Sequence, residues 1–174
     1  MRIVAALLSV FLSVTAFGQS IALLDKVPGH RVSFDYSYSL SKEGKPMEKV
    51  TGGYVTVEDN CFSMTGLGLE VRSDGTTRWT IDREAKEMLI ETVESEDLFT
   101  NPALFIASYP QYRDRLKVNA STSDSLDITL TLDEEVKARF QLKGIVFSEA
   151  TGEKKGFSID EKSLDSSYVV TDLR

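Results

Sequence analysis

Residues 73–92 read SDGTTRWTIDREAKEMLIET and include Trp79, the only tryptophan of the chain. Two pairs of apolar residues in this stretch, Trp79 with Ile81 and Met88 with Ile90, are each two positions apart. Alternate side chains of an extended backbone lie on the same face, so this spacing predicts two strands. The charged segment between the pairs is typical of a hairpin connection, and the Asp-Gly pair before Trp79 is typical of a tight turn. We therefore expect a hairpin that presents Trp79 on an apolar face.

The same alternation recurs along the chain and is clearest in RVSFDYSYSL, residues 31–40. Strands are expected over residues 31–40, 47–58, 61–65, 67–73, 76–82, 87–93, 126–132, 136–142, 145–147, 157–159 and 167–171. Two short helical pieces are expected over 20–27 and 96–109, where the proline after Asn101 suits the first turn of a helix. No alternating βαβ pattern is present. The expected fold is mainly β with short helices (α+β): a curled antiparallel sheet that forms a half-barrel with a helical lid.

The first residues, MRIVAALLSVFLSVTAFGQS, have the form of a secretory signal peptide. Arg2 gives the positive start, an apolar run follows, and small residues precede a cleavage site after Gly18. The apolar run is shorter than the ~20 residues that a membrane-spanning helix needs. We expect residues 1–18 to be removed, residues 19–174 to form a single domain, and the product to reside in the periplasm.

The net charge and the cysteine content argue against several kinds of partner and site. The formal net charge is −7 and the sequence has no basic cluster, which argues against nucleic acid and against anionic membrane surfaces as partners. Cys61 is the only cysteine, so an internal disulfide and a thiolate metal cluster are excluded. Its neighbours Phe62 and Met64 indicate that the thiol is buried.

No pattern that carries catalysis is found in the sequence. His30 is the only histidine, and it is expected at the surface or at the start of a strand. No G-x-S-x-G or G-x-G-x-x-G pattern occurs, and Gly66-Leu67-Gly68 is interpreted as a turn. The acidic stretch lacks the spacing of a calcium loop and is expected to be a solvated face: Glu91, Glu94, Glu96 and Asp97. We predict that the protein is not an enzyme and that it has no catalytic residue, metal ligand or cofactor.

Apolar side chains at alternating strand positions predict a hydrophobic concavity. Its expected lining is Phe34, Tyr36, Tyr38, Val55, Val57, Phe62, Met64, Leu69, Trp79, Ile81, Ile128, Leu130, Phe140 and Phe147. A lid is expected from the apolar residues around Asn101: Leu98, Phe99, Leu104, Phe105 and Ile106. The same alternation also fits an ordinary closed core. The cavity is favoured because two short helical pieces give little material to fill one side of a broad sheet.

Five segments together resemble the LolA-like periplasmic carriers of outer-membrane lipoproteins. They are FDYSYSL (34–40), TGGYVTVEDNCFSM (51–64), SDGTTRWTIDREAKEMLIET (73–92), NPALFIAS (101–108) and SYVVTDLR (167–174). The resemblance covers nearly the whole chain after residue 18. It is most specific at the Asp-Gly, tryptophan and aspartate of the third segment.

The resemblance implies a chaperone that binds the acyl chains of lipoproteins and shuttles them from the inner to the outer membrane. The implied partners are acylated lipoproteins or lipids, an inner-membrane release complex and an outer-membrane acceptor, and we expect a monomer. One departure concerns the family's arginine-proline pair, in whose place this chain has Val57-Glu58-Asp59-Asn60. The role of that arginine in gating the lid is therefore not carried over. Two alternatives remain open: a lipid-binding or sensor module of the same fold without transport, and a hydrolase or isomerase in a curled-sheet pocket.

Overall fold

A computed structural model describes residues 22–94, 101–132 and 134–174. The expected signal peptide at residues 1–18 lies outside the described residues. The expected lid residues Leu98 and Phe99 lie outside them as well, as do Glu96 and Asp97 of the acidic stretch. In the parts of the chain that are described, no helix combines the length and the apolar character that crossing a membrane requires.

The described residues are mainly β with a few short helices, which confirms the predicted class. A helical turn over residues 22–25 (α1) precedes the first strand. The other elements are β1 (His30–Lys42), β2 (Glu48–Glu58), β3 (Cys61–Gly66), β4 (Leu69–Ser73), β5 (Thr77–Asp82), β6 (Glu87–Thr92), α2 (Pro102–Ser108), a 3₁₀ helix (Tyr109–Arg115), β7 (Leu116–Ser121), β8 (Leu126–Thr131), β9 (Val136–Glu149), the 3₁₀ turns Lys154–Gly156 and Glu161–Ser163, and β10 (Val169–Asp172).

These strands form one sheet in the order β10-β6-β5-β4-β3-β2-β1-β9-β8-β7. Consecutive strands β1 to β6 form one antiparallel meander, and β7 to β9 form a second that joins the first where β9 pairs with β1. The expectation of a wholly antiparallel sheet is wrong, because β10 lies parallel to β6. A parallel neighbour requires a long connection, and the chain between β9 and β10 supplies it.

Turn chemistry explains the hairpins of residues 73–92. The Asp74 carboxylate accepts hydrogen bonds from the backbone N–H groups two and three residues later, both at 2.9 Å. Asp82 does the same in the next turn, at 2.9 and 2.8 Å. An aspartate that satisfies its own turn in this way favours chain reversal at that point. Both turns confirm the sequence-based interpretation.

The start of α2 follows equally from local sequence. The Asn101 side-chain oxygen accepts a hydrogen bond from the backbone N–H of Leu104 at 2.9 Å, and Pro102 occupies the first turn. An asparagine cap followed by proline is a strong helix-start signal, because both residues suit the groups that a first turn leaves without partners. The helix then buries Phe105 and Ile106 against the sheet.

The chain departs from expectation in four other places. No strand is expected from the sequence over β7, although Leu116, Val118 and Ala120 alternate there with polar residues. Two predicted strands, 136–142 and 145–147, form the single strand β9, whose pairing with β1 is interrupted by an irregularity between Ser33 and Asp35. The predicted strand over 157–159 lies between 3₁₀ turns instead. The face of the sheet opposite the expected concavity also carries an apolar cluster, which the sequence analysis does not predict.

The two apolar clusters lie on opposite faces of the sheet. The larger one joins β1, β2, β3, β8 and β9 to α1 and α2, and it includes the fully buried Val57, Phe62 and Leu130. The smaller one consists of Trp79, Ile81, Met88 and Ile90, with Ile159, Leu164 and Tyr168 packed against it. Residues 150–168, the C-terminal arm, therefore cover the outer face of β5 and β6 on their way to β10.

Glu58, at the end of β2, connects the sheet to the C-terminal arm. Its side chain is 4% exposed, accepts from Arg31 Nε at 2.6 Å, and accepts from the backbone N–H of Gly152 at 2.6 Å. The Arg31 guanidinium in turn lies 5.0 Å above the ring of the buried Phe157. Burial by itself would raise the pKa of Glu58, but the hydrogen bonds from Gly152 and Arg31 outweigh burial and lower that pKa below its usual range.

We predict that Glu58→Gln lowers the free energy of unfolding at pH 7 by about 2 kcal/mol, because a hydrogen bond to a charged group is lost and Arg31 remains partly buried. Urea denaturation measures this value, and Glu149→Gln, at an exposed position on β9, is the matched control. Since the folded pKa is lowered, Glu58 stabilises the fold above the unfolded pKa of about 4.3. The difference between wild type and variant should shrink as the pH falls below that value. A difference independent of pH would contradict this assignment.

Candidate functional site

One face of the sheet carries a cavity of about 430 Å³. Side chains of β1, β2, β3, β4, β5 and β9 form its wall, and the helical residues Leu24, Pro102, Phe105 and Ile106 border it. Aromatic contacts close one side of the cavity. The ring of Phe140 stacks on the ring of Tyr38, with their centroids 5.1 Å apart, and its centroid lies 5.0 Å from that of Phe105. Burial raises the pKa of Tyr38 above its usual value, in keeping with its place in this apolar wall.

Half of the residues expected from the sequence line this cavity. They are Phe34, Tyr36, Tyr38, Val55, Met64, Leu69 and Phe140. They come from five different strands, and strand pairing brings them together because partners across a ladder face the same way: Val55 lies opposite both Phe34 and Met64.

Five further expected residues belong to the filled part of the same face. Val57, Phe62, Ile128 and Leu130 are buried in the larger cluster, and Phe147 packs against it partly buried. This part is filled because α1, α2 and the following 3₁₀ helix cover it, with Leu23 and Tyr109 among the covering residues. The cavity begins where that helical cover ends.

The placement of Trp79 and Ile81 in the cavity is corrected by the structure. Both point to the opposite face, into the smaller cluster, and Trp79 is only 5% exposed there. Its indole N–H donates to a Glu161 carboxylate oxygen at 3.0 Å, which ties the tryptophan to the C-terminal arm. On β5 it is Arg78 and Thr80 that line the cavity. Period-two alternation identified residues that share a face, but it does not say which face a given strand turns inward.

Sequence reasoning also missed several lining residues. Val71 and Leu142 follow the expected Leu69 and Phe140 by two positions, so the alternation itself could have found them. Val50 had no such signal. It is the extra residue of β2 where the pairing with β1 shifts, since Tyr38 lies opposite Thr51 and the next pair is Ser39 with Lys49. A bulge of this kind redirects a side chain locally.

The floor of the cavity is the part of β2 and β3 around Gly53 and Gly66. Because these glycines have no side chain, neighbouring groups lie close to the backbone there. A Cβ on Gly53 would lie 1.8 Å from the carbonyl oxygen of Thr65, so only glycine fits between β2 and β3 there. Tyr36 pairs with Gly53 across the ladder, and its hydroxyl lies 2.5 Å from where a Cβ on Gly66 would sit. The ring of Tyr36 therefore extends across β2 towards β3, over a position that has no side chain.

The electrostatics of the cavity favour an uncharged occupant. Among the described residues that line it, Arg78 is the one charged side chain, and its guanidinium pairs with the Glu91 carboxylate at 2.9 Å. His30 is exposed at the start of β1, away from the lining, and Cys61 is buried; both agree with expectation. Within the described ranges, no group of three His, Cys, Asp or Glu residues could hold a metal ion. The arrangement is suited to enclosing hydrocarbon.

A second cavity of about 570 Å³ lies between α1, α2 and the turns after β2 and β4. Its wall is more polar, with Asp25, Asp59, Asn60 and Glu94 among the lining residues. The hydroxyl of Tyr109 donates to the Asp25 carboxylate, and Arg113 lies 3.6 Å from the same carboxylate. The expected lid residue Leu104 lines this second cavity rather than the first.

Comparison with known proteins gives little help in naming the site. No family model matches this chain, and no curated protein matches it. Among solved structures, the chain is similar to an uncharacterized conserved protein from Thermus thermophilus. The identity is 7%, the TM-score is 0.39, and the alignment covers 92% of this chain and 99% of that chain.

We predict that the fluorescence of Trp79 does not report on the cavity. A ligand that fills the cavity should leave the emission maximum and the acrylamide quenching of this buried indole unchanged, because the sheet separates the two. Trp79→Phe should lower the free energy of unfolding by about 1 kcal/mol through loss of the hydrogen bond to Glu161. A ligand-induced shift of the tryptophan emission would contradict this placement.

Proposed function

We propose that this protein is a periplasmic carrier that binds the acyl chains of lipoproteins and shuttles them from the inner to the outer membrane. It acts by binding, without catalysis. The observation that carries the proposal is the cavity of about 430 Å³ with an almost wholly apolar wall. Ligand cavities of proteins commonly have volumes of about 300 to 1,000 Å³, so this one is large enough for hydrocarbon.

The energetics suit loading and unloading. Transfer of one methylene from water to an apolar site contributes about 0.8 kcal/mol, so a chain of about fifteen carbons gains on the order of 10 kcal/mol. Removing the same chain from a membrane costs a comparable amount. A cavity therefore needs only a modest surplus to accept cargo, and it can still release it. Aromatic walls such as Tyr38 and Phe140 give contact area without fixing the position of a flexible chain.

The half-barrel and lid of the LolA-like family are part of the proposal. The sheet would be the half-barrel, and α2 the element that opens over the cavity, with Phe105 and Ile106 facing the cargo. The proline at its start and Pro110 beyond its end are positions where the chain could pivot. Contact between Phe105 and Phe140 is the interaction that opening would break first.

A second candidate, a lipid-binding or sensor module that does not transport, is favoured by one observation. Where the resembling family has an arginine followed by proline, this chain has Val57-Glu58-Asp59-Asn60. Glu58, at the end of β2, bonds to Arg31 and to the C-terminal arm. Partner-coupled release through the family's arginine therefore has no counterpart at this position.

A charge in the cavity wall should abolish acyl-chain binding. Leu69→Glu places a carboxylate in the lining, where it must be desolvated when hydrocarbon enters, and we expect loss of at least about tenfold in affinity for a fluorescent fatty-acid probe. Val146→Glu, at an exposed apolar position of β9, is the matched control and should bind normally. Equal binding by both variants would place the probe elsewhere.

An experiment in cells distinguishes transport of lipoproteins from simple binding of lipid. If the protein is a carrier, its depletion from the source bacterium should leave acylated lipoproteins in the inner membrane, measured by fractionation and immunoblotting. Leu69→Glu should not restore their localisation, whereas Val146→Glu should. Normal localisation after depletion would favour the module that binds lipid without transport.

A further inference from the structure

Two hydroxyl groups on the floor of the cavity lie near one common point. Tyr36 Oη and Thr51 Oγ1 lie 2.5 and 3.1 Å from one common point, the position that a Cβ on Gly66 would occupy. All three residues line the cavity. They come from three adjacent strands, β1, β2 and β3, and the hydroxyls converge because the third residue has no side chain. The other polar side chains of the lining, Arg78 and Thr80, come from β5.

The Thr51 hydroxyl is buried and has no hydrogen-bond partner among the described residues. A buried hydroxyl that forms no hydrogen bond is costly, and most such groups in proteins are paired. Valine would give the same shape without that cost. A hydroxyl at this position is therefore suited to pairing with a group that enters the cavity, which a rotation about the Cα–Cβ bond of Thr51 would allow.

Within the floor, the two hydroxyls lie at the end that is next to exposed residues of the lining. Thr51 follows Val50, which is 43% exposed, and Gly66 precedes Leu67, which is 72% exposed on the tight turn between β3 and β4. The opposite part of the lining is buried and purely apolar, and includes Leu24, Phe34 and Val55. An amphiphilic ligand would thus enter with its hydrocarbon first, and its polar linkage would come to rest beside the hydroxyls.

We propose that Tyr36 and Thr51 form a subsite for a carbonyl oxygen of the ligand. This oxygen belongs to the ester or amide bond that joins an acyl chain to the rest of an acylated molecule. Two neutral O–H donors match a neutral acceptor, whereas a carboxylate would have to be buried with its charge. The subsite rests on the proposed acyl-chain function and narrows it: the preferred cargo is an acylated molecule, not free hydrocarbon or a free fatty acid.

The test compares two ligands that differ only in the linkage. Methyl palmitate and an alkane of matched length compete with a fluorescent fatty-acid probe for the purified protein, and the ratio of their dissociation constants is measured. Wild type should prefer the ester, and Tyr36→Phe and Thr51→Val should each reduce that preference about fivefold, the value of one neutral hydrogen bond. The affinity of each variant for the alkane should equal that of wild type.

Two controls distinguish recognition from damage to the fold. Tyr54→Phe removes a tyrosine hydroxyl at an exposed position of β2 outside the cavity lining and should keep the full ester preference. Thr51→Val should melt at or above the temperature of wild type, because no hydrogen bond within the described residues is lost. An ester preference that is absent in wild type, or that both cavity variants retain, would overturn the subsite while acyl-chain binding stands. Failure of both ligands to displace the probe would overturn acyl-chain binding as well.

Discussion

The apolar face of this sheet is broader than its two short helices can cover. Both the packed core and the cavity follow from this mismatch. Where α1, α2 and the following 3₁₀ helix lie, side chains such as Phe62 and Leu130 are fully buried. Beyond the last helical contact, made by Phe105 on Phe140, the same face continues with apolar side chains that border empty space. Core and cavity are therefore one surface that differs only in its cover, and a small movement of α2 would change the boundary between them.

The opposite face shows how the protein stabilises a sheet that is incompletely packed on one side. Trp79 and its three strand neighbours form a second cluster, and the C-terminal arm covers it. Polar contacts hold the arm in place: the indole of Trp79 donates to Glu161, and Glu58 accepts from Gly152. This outer packing does not depend on the contents of the cavity. These contacts of β5 and β6 lie on the face opposite the cavity, so filling the cavity would leave them in place.

The floor of the cavity combines close backbone approach with polarity. Gly53 lets β2 and β3 approach each other, and Gly66 leaves room for the hydroxyls of Tyr36 and Thr51. Either glycine would appear in a sequence only as a weak strand residue. Together they allow the ring of Tyr36 to lie along the sheet, with its hydroxyl beside Gly66. A cavity that bound only hydrocarbon would not require a hydroxyl there. The difference between an acylated cargo and a plain hydrocarbon would be decided at these few atoms.

The sequence by itself determined the local elements, because their signals are short-range. Alternation marked most of the strands, aspartates that bond their own turns marked the hairpins, and Asn101-Pro102 marked the start of α2. It also determined the expected apolar set, half of whose members line the cavity. Only the tertiary structure decided which face each residue occupies. A period of two separates the faces of a strand, but the direction in which β5 turns Trp79 depends on the C-terminal arm, which is distant along the chain and whose path no local pattern encodes. The parallel pairing of β10, the bulge that redirects Val50 and the approach of two hydroxyls to Gly66 were decided by the pairing between strands, which no pattern within a single strand encodes.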